Sequence, residues 1–398
     1  MNGLKPIIES ATLLASPATP TRRISRANKP VPALRYLTLL IALVFAALCF
    51  VILVFPHYGQ FLHGQNDFLG LYIGGAQVGT SHLYSYADNQ ALVTRLVHVR
   101  METLAFVRPP FYAALLRPLA LLPYPVAYWS FLAAMVGALL WFVRRFSGEC
   151  PELAVYAILA PATISVLANV QDTPLLLAVA ASSVLLFRRG RHFLGGVVLS
   201  LCAVKFHLFL LIPVLLLLRR RWRALAGMAT GGASLLILGA ACAGPDAYLK
   251  WIGILRNPMV GPSDGMINIH ALAEACHGGL AAEITLMAAV IALFVWMCNK
   301  TDDFEFLFGI ALVAGILIGV HSYPHDGLLL LLSFVLIRNA KVRLAFVPLL
   351  TPLADYFLFT AFPAPYVIVM LGVLVLAAAT LVAARPARET APMAVVAE

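Results

Sequence analysis

Polar and apolar positions in this 398-residue chain fall into long blocks. Apolar runs of roughly 15–25 residues follow one another along most of the sequence, each ended by a short polar interruption. One face of a soluble helix cannot use such runs, whereas a bilayer core of about 30 Å takes about 20 residues of helix. The pattern predicts an all-α polytopic membrane protein, because helices satisfy their own backbone hydrogen bonds in lipid. Composition points the same way: 62% of residues are hydrophobic and 12% charged, against about 25% charged in an ordinary soluble domain.

The first 33 residues are rich in Pro, Ser, Thr and Arg and read as a disordered tail. The first span, about Leu37 to Phe55, is too long for a signal-peptide core and lacks an evident cleavage site, so it reads as an uncleaved anchor. A membrane domain then covers 34–384 and a short tail 385–398. The net charge of +10 resides largely in clusters at the ends of apolar runs. That is the signature of cytoplasmic loops, so the charge does not call for a nucleic-acid partner. The six cysteines form no CxxC pair and read as packing residues, not as a disulfide frame or zinc site.

Arg22, Arg23, Arg26, Lys29 and Arg35 precede the first span and place the N-terminus in the cytoplasm. If Arg144-Arg145, "RRGRH" (188–192), "RRRWR" (219–223), "RNAKVR" (338–343) and "RPAR" (385–388) face the same side, an even number of crossings separates each neighbouring pair. The apolar stretch between "RRGRH" and "RRRWR" must then make two short passes that turn near Lys205. "NVQDTP" (169–174) and "HSYPHD" (321–326) become outer turns, and the proline-rich 106–123 reads as a re-entrant or interfacial piece. The count is about twelve spans with both termini inside and larger outer loops at about 57–123 and 244–281. This topology collects Asp67, Arg108, Gln171, Asp172, Lys205, His207, Asn268, His270, His321, His325 and Asp326 on one side, as an outward-facing polar cavity would.

The stretch "HGQNDFLGLYIGGAQVGTSHLYSYADNQ" (63–90) after the first span is the most polar part of that side. An enzyme transferring a sugar from a lipid phosphate would need one carboxylate as base, because the phosphate leaves as a stable anion without a general acid. Asp67, close to the first span, suits that base, with Asp172 and Asp88 as fallbacks. Phe68, Tyr72 and Tyr84 beside it fit either a sugar ring or an interfacial aromatic belt. Lys205 interrupts a long apolar run, where a lysine costs about 2.5–3.5 kcal/mol on insertion scales. With Arg108, stiffened by Pro109-Pro110, and His207, it is a candidate donor-phosphate ligand. Gln171, Asp172, Asn268, His270, His321 and His325 are candidate substrate contacts. His321, His325 and Asp326 have turn spacing that a metal could use, but without a fourth ligand hydrogen bonding to substrate is the preferred reading.

"NDFLGLYIGGAQVGTSHLY", "FVRPPFYAALLRPLALLPY", "NVQDTPLLLAV" and the hairpin from "RGRHFLGG" to "LLRRRW" resemble glycosyltransferase family 87 of the GT-C superfamily, as does "HSYPHDGLLLL" more weakly, over roughly residues 60–335. The resemblance implies a GT-C-type fold and a multi-pass protein of the bacterial inner membrane with its active site facing outward. It also implies inverting transfer from a polyprenyl-phosphate sugar, mannose being the family default, to a glycan or glycolipid; no cofactor is expected, a divalent metal being the less favoured alternative. The family's first-loop acid falls on Asp67 and its later lysine on Lys205. Arg108 stands where a tyrosine usually precedes the double proline, and Val170-Gln171 where many relatives have Gly-Gln. Two other functions fit the span count: a transporter or lipid flippase, which often shows inverted repeats that this chain lacks, and a lipid-linked polysaccharide polymerase or ligase.

Overall fold

The computed structural model describes residues 40–383 except 41–42, 45, 49, 100, 102–103, 151–152, 257–264 and 340–363. The expected tails, scattered positions of the first span and part of the 338–343 cluster therefore lie outside the described residues, and the described end of that span is a π-helical turn, Phe50–Val54. Among the described residues every regular element is helical. In chain order they are α1 (Tyr58–Leu62), α2 (Phe68–Gln77), α3 (Tyr86–Val97), α4 (Pro110–Ala120), α5 (Tyr124–Phe146), α6 (Leu153–Leu159), α7 (Pro161–Asn169) and α8 (Thr173–Arg188). They continue as α9 (His192–Ser200), α10 (Leu211–Leu218), α11 (Trp222–Ala243), α12 (Ala247–Leu255), α13 (Ile269–Ala275), α14 (Gly279–Cys298), α15 (Phe304–Ile318), α16 (Leu330–Asn339) and α17 (Ala364–Ala383). A 3-10 segment, Leu201–Phe209, joins α9 to α10, and another, Pro324–Leu329, leads into α16.

Five helices among the described residues are long and apolar enough to cross a membrane: Tyr124–Phe146, His192–Phe209, Trp222–Ala243, Gly279–Cys298 and Tyr366–Ala383. Thr173–Arg188, Phe304–Ile318 and Pro324–Ile337 are apolar but shorter. The chain is thus a helical membrane protein, while the expected count of about twelve spans is not reached by helix length. Several apolar runs are broken into pieces by a proline or a polar side chain. Pro161 separates α6 from α7. Lys205 has φ −124° and ψ 55°, which breaks the helix between His192 and Leu218. The 106–123 stretch carries α4, whose 11 residues reach roughly 16 Å, half the hydrocarbon core.

Packing fixes the helix directions. Ideal Cβ atoms at Gly196, Gly227 and Gly231 would meet Ala224, Phe193 and Val197-Ser200, so α9 and α11 run parallel in backbone contact. Only three residues join α10 to α11, so α10 ends where α9 begins and the chain reverses between them, around Lys205. It reverses again between α15 and α16: Gly319 lies beside His207 at one end of α15, whereas Glu305 at the other end pairs with Arg188. α8 measures about 24 Å from Thr173 to Arg188 and separates the two ends of the molecule. At one end lie Asp67, Arg108, Gln171, Asp172, the tip at Lys205 and the 319–326 loop. At the other, Arg188 binds Glu149 and Glu305, and Arg219 binds Asp302 and the Cys298 carbonyl.

α2 explains the glycines in its sequence. Its Gly74 lies against the Phe106 ring and Gly75 against the Leu116 carbonyl and the Ala120 methyl, where an added Cβ would come within 3.0 Å of each. The missing side chains let α2 seat directly on the 105–106 segment and α4. That contact is what brings Asp67, just before α2, towards Arg108, just before α4.

Candidate functional site

A cavity of about 660 Å³ opens at the polar end of the molecule, within the roughly 300–1,000 Å³ of small-molecule sites. Asp67, Arg108, Gln171, Lys205 and His207 line it, and His321, His325 and Asp326 approach from the loop after α15. Asp172 stands just behind this wall. Part of the rim is apolar, from Phe206, Trp251, Leu255 and Val320.

Asp67 occupies the position before α2 where an aspartate commonly caps a helix, yet its side chain makes no cap hydrogen bond. The carboxylate instead accepts from the Gln171 side-chain amide at Oδ2. Neighbouring Asn66 holds the turn: its Nδ2 donates to Tyr128 Oη at 3.1 Å and Ala168 O at 3.2 Å, and its Oδ1 accepts from Phe68 N. Burial pushes the Asp67 carboxyl above its ordinary range, an effect countered in part by the Gln171 hydrogen bond and by the charges of Arg108 and Lys205. A carboxyl so held is poised to exchange a proton.

Arg108 is fixed through its backbone. Tyr84 Oη donates to the Arg108 carbonyl at 2.8 Å, and Trp251 Nε1 donates to the Val107 carbonyl at 2.8 Å. Fully buried Asn89 accepts from Phe106 N at 2.8 Å, and Pro109-Pro110 stiffens the next step into α4. The guanidinium reaches Gln171 Oε1 at 3.4 Å and Asp172 Oδ1 at 3.5 Å. Among the described residues, Arg108 Nε, His207 Nε2 and His321 Nδ1 are buried without a hydrogen-bond partner. All three residues line the cavity, with the two imidazole rings 6.5 Å apart. Polar atoms left unspent in a buried wall point to a ligand with complementary atoms.

Lys205, 1% exposed, is more deeply committed. Its Nζ lies 2.6 Å from Asp326 Oδ1, 3.2 Å from Asp172 Oδ1 and 3.2 Å from Thr173 Oγ1. Asp326 Oδ2 also accepts from Tyr323 N at 3.1 Å, and buried Tyr112 of α4 stands near Asp172. Two buried carboxylates thus share two cations, Lys205 and Arg108. Asp67 adds a further negative charge whenever it ionises.

Of the residues singled out in the sequence, Tyr72, Tyr84, Asn268, His270 and Asp88 stand off the cavity, and Asp172 lies behind its wall. Tyr72 donates to the Leu122 carbonyl at 2.9 Å and packs edge-on to Tyr124. Tyr84 acts on the Arg108 backbone, as above. Asn268 caps α13 by accepting from Ala271 N, and donates to the Gly319 carbonyl at 2.7 Å. His270 pairs with Glu283 at 3.0 Å. Asp88, a fallback base, is half-buried outside the cavity, and bonds to Ser85 and His82 lower its pKa. No group of three or more His, Cys, Asp or Glu among the described residues could hold a metal ion. Sequence reading passed over Asn66, Asn89, Tyr112 and Thr173, whose small or neutral polar groups give no penalty signal inside an apolar run.

No curated protein and no solved structure matches this chain. The family model of Glycosyltransferase family 87 matches residues 106–320, just over half of the chain. The matched range includes Arg108, Gln171, Asp172, Lys205 and His207 and begins after Asp67. The cavity with its single unpaired-for-capping carboxylate and its spare cationic and imidazole nitrogens thus sits in a membrane protein that belongs to glycosyltransferase family 87.

Proposed function

We propose that the protein transfers a hexose, mannose by family default, from a polyprenyl-phosphate donor to a glycan or glycolipid at the outer face of the bacterial inner membrane. The observation that carries this reading is the juxtaposition in one cavity of Asp67 with Arg108, His207 and His321. Asp67 takes the proton of the acceptor hydroxyl, and the acceptor oxygen forms its bond to the anomeric carbon. On the opposite face of the sugar the bond to the phosphate oxygen breaks, its electron pair leaves with the lipid phosphate, and the configuration inverts. Arg108, with the two imidazoles, stabilises the departing phosphate. Lys205 serves that charge from behind, since its own ammonium already neutralises Asp172 and Asp326. The apolar rim at Phe206, Trp251, Leu255 and Val320 supports a lipid chain lying against the cavity mouth.

The test is sugar transfer by full-length protein in lipid nanodiscs, using labelled polyprenyl-phosphate sugars and a membrane-glycan extract. Transfer by the wild type and its loss in folded Asp67→Asn are the expected results. Full transfer by Asp67→Asn would move the base to another carboxylate. Movement of lipid or solute, with no transfer from any donor, would replace the transferase reading with a transporter.

A further inference from the structure

Gln171 stands between two opposite charges. Its Nε2 donates to Asp67 Oδ2, and its Oε1 accepts from Arg108 Nη2 at 3.4 Å. A flipped amide would set an acceptor against the carboxylate and a donor against the guanidinium, so both neighbours select the same orientation. The side chain is 6% exposed and its backbone is anchored, with Gln171 N donating to the Val166 carbonyl at 3.0 Å. Val170 closes α7 with φ 49° and ψ 53°, a left-handed conformation that a β-branched residue rarely adopts. The left-handed cap turns the chain off the axis of α7, and the next residue meets Asp67. Strained backbone of this kind persists where surrounding contacts over-determine it, often at functional sites.

The charged and titratable groups that act on Asp67 come from three other elements: Arg108 before α4, Lys205 at the hairpin tip and Asp172 before α8. His207, His321, His325 and Asp326 share the cavity, as does His57 from before α1. Lys205 is held by two carboxylates and Arg108 by Asp172. Among the described residues, Gln171 alone donates a side-chain hydrogen bond to the Asp67 carboxylate. We infer that Gln171 is the positioning residue of this site: it engages Oδ2 of Asp67, leaves Oδ1 to receive the acceptor proton, and ties the base to Arg108 on the donor side. The inference rests on the reading of Asp67 as base, and its test separates the two.

A hydrophobic carbodiimide labels protonated carboxyls, so the extent of Asp67 labelling against pH, read by mass spectrometry, reports its ionisation without any turnover. Full-length wild type, Gln171→Leu and Gln171→Asn are compared in nanodiscs, with Asp67→Asn as blank and sugar transfer measured in parallel. Asparagine keeps the amide but is one methylene too short, which provides a second variant should leucine disturb folding. Both are expected to raise the labelling midpoint by about one pH unit, as loss of a hydrogen bond to an ionised group requires. The acid limb of transfer should move with it, and kcat should fall at least about tenfold with little change in donor KM. An unmoved midpoint in folded protein overturns the inference while leaving Asp67 as base. Full transfer by Asp67→Asn overturns the base itself, and with it the catalytic meaning of the hydrogen bond.

Discussion

Lys205 Nζ lies 2.6 Å from Asp326 Oδ1 and 3.2 Å from Asp172 Oδ1, buried in the cavity wall. One ammonium from the hairpin tip therefore joins the start of α8 to the loop that follows α15. Removing one member of a buried ion cluster leaves uncompensated charge and costs about 3–5 kcal/mol. Lys205→Met should accordingly lower the melting temperature far more than Asp67→Asn and abolish transfer. Adding Asp326→Asn to Lys205→Met should recover part of the lost stability. A Lys205→Met protein that melts like wild type would show that this cluster is not a structural clamp.

Asp67 makes activity depend on pH in a definite direction. The base must be ionised, and burial raises its pKa above the ordinary carboxylate value. The rate should therefore fall with acidification through a pKa above 3.8. Donor phosphate adds negative charge to the same cavity, so the limb seen in kcat should lie higher than that in kcat/KM. The stability sign is opposite to that of a salt-bridged acid. A raised folded-state pKa favours the protonated form, so the stabilising contribution is present below the unfolded value and is lost as pH rises through the folded one. Asp67→Asn should consequently melt at or above wild type at neutral pH while losing transfer, and thermal melting at several pH values checks both signs.

Much of the site's polar end was legible because charge in an apolar run is costly. Lys205 and Arg108 announce themselves against leucine and proline, and both line the cavity. Asn268 was harder to read, because a helix-capping asparagine and a ligand-binding one look alike in sequence. Its contacts to Ala271 N and the Gly319 carbonyl spend its amide on the fold. Tyr72 likewise spends its hydroxyl on Leu122. The count of about twelve spans is not confirmed by helix length among the described residues, for a related reason. Apolar runs register burial but not every break in the helix axis: Pro161 divides its run without a charge to mark it, whereas Lys205 marks the turn where the chain reverses.

Arg108 offers a test of the donor side. A guanidinium presents a planar fork of donors, whereas lysine offers a compact point charge, so the two are not interchangeable at a phosphate. Arg108→Lys should raise donor KM, and Arg108→Gln should raise it further and lower kcat as well. Since Arg108 also neutralises Asp172, Arg108→Gln should lower the melting temperature and Arg108→Lys much less. Unchanged donor KM in both variants would remove Arg108 from the phosphate site.

Val170 is the residue whose replacement tests backbone strain beside the site. Its φ of 49° puts a β-branched side chain where its Cβ crowds the backbone. The left-handed conformation costs roughly 1–2 kcal/mol for such a residue, while glycine enters it freely and is the usual closing residue of a helix. Glycine also gives back some of this gain through the larger conformational freedom of the unfolded chain. The side chain is fully buried, so its loss removes packing as well. Val170→Gly thus sets relief of strain against lost burial. A methyl side chain separates the two: Val170→Ala loses most of the packing and keeps the crowded Cβ. Val170→Gly should therefore melt above Val170→Ala, by about 1 kcal/mol in stability. Equal melting of the two variants would mean that the left-handed turn at Val170 carries no strain.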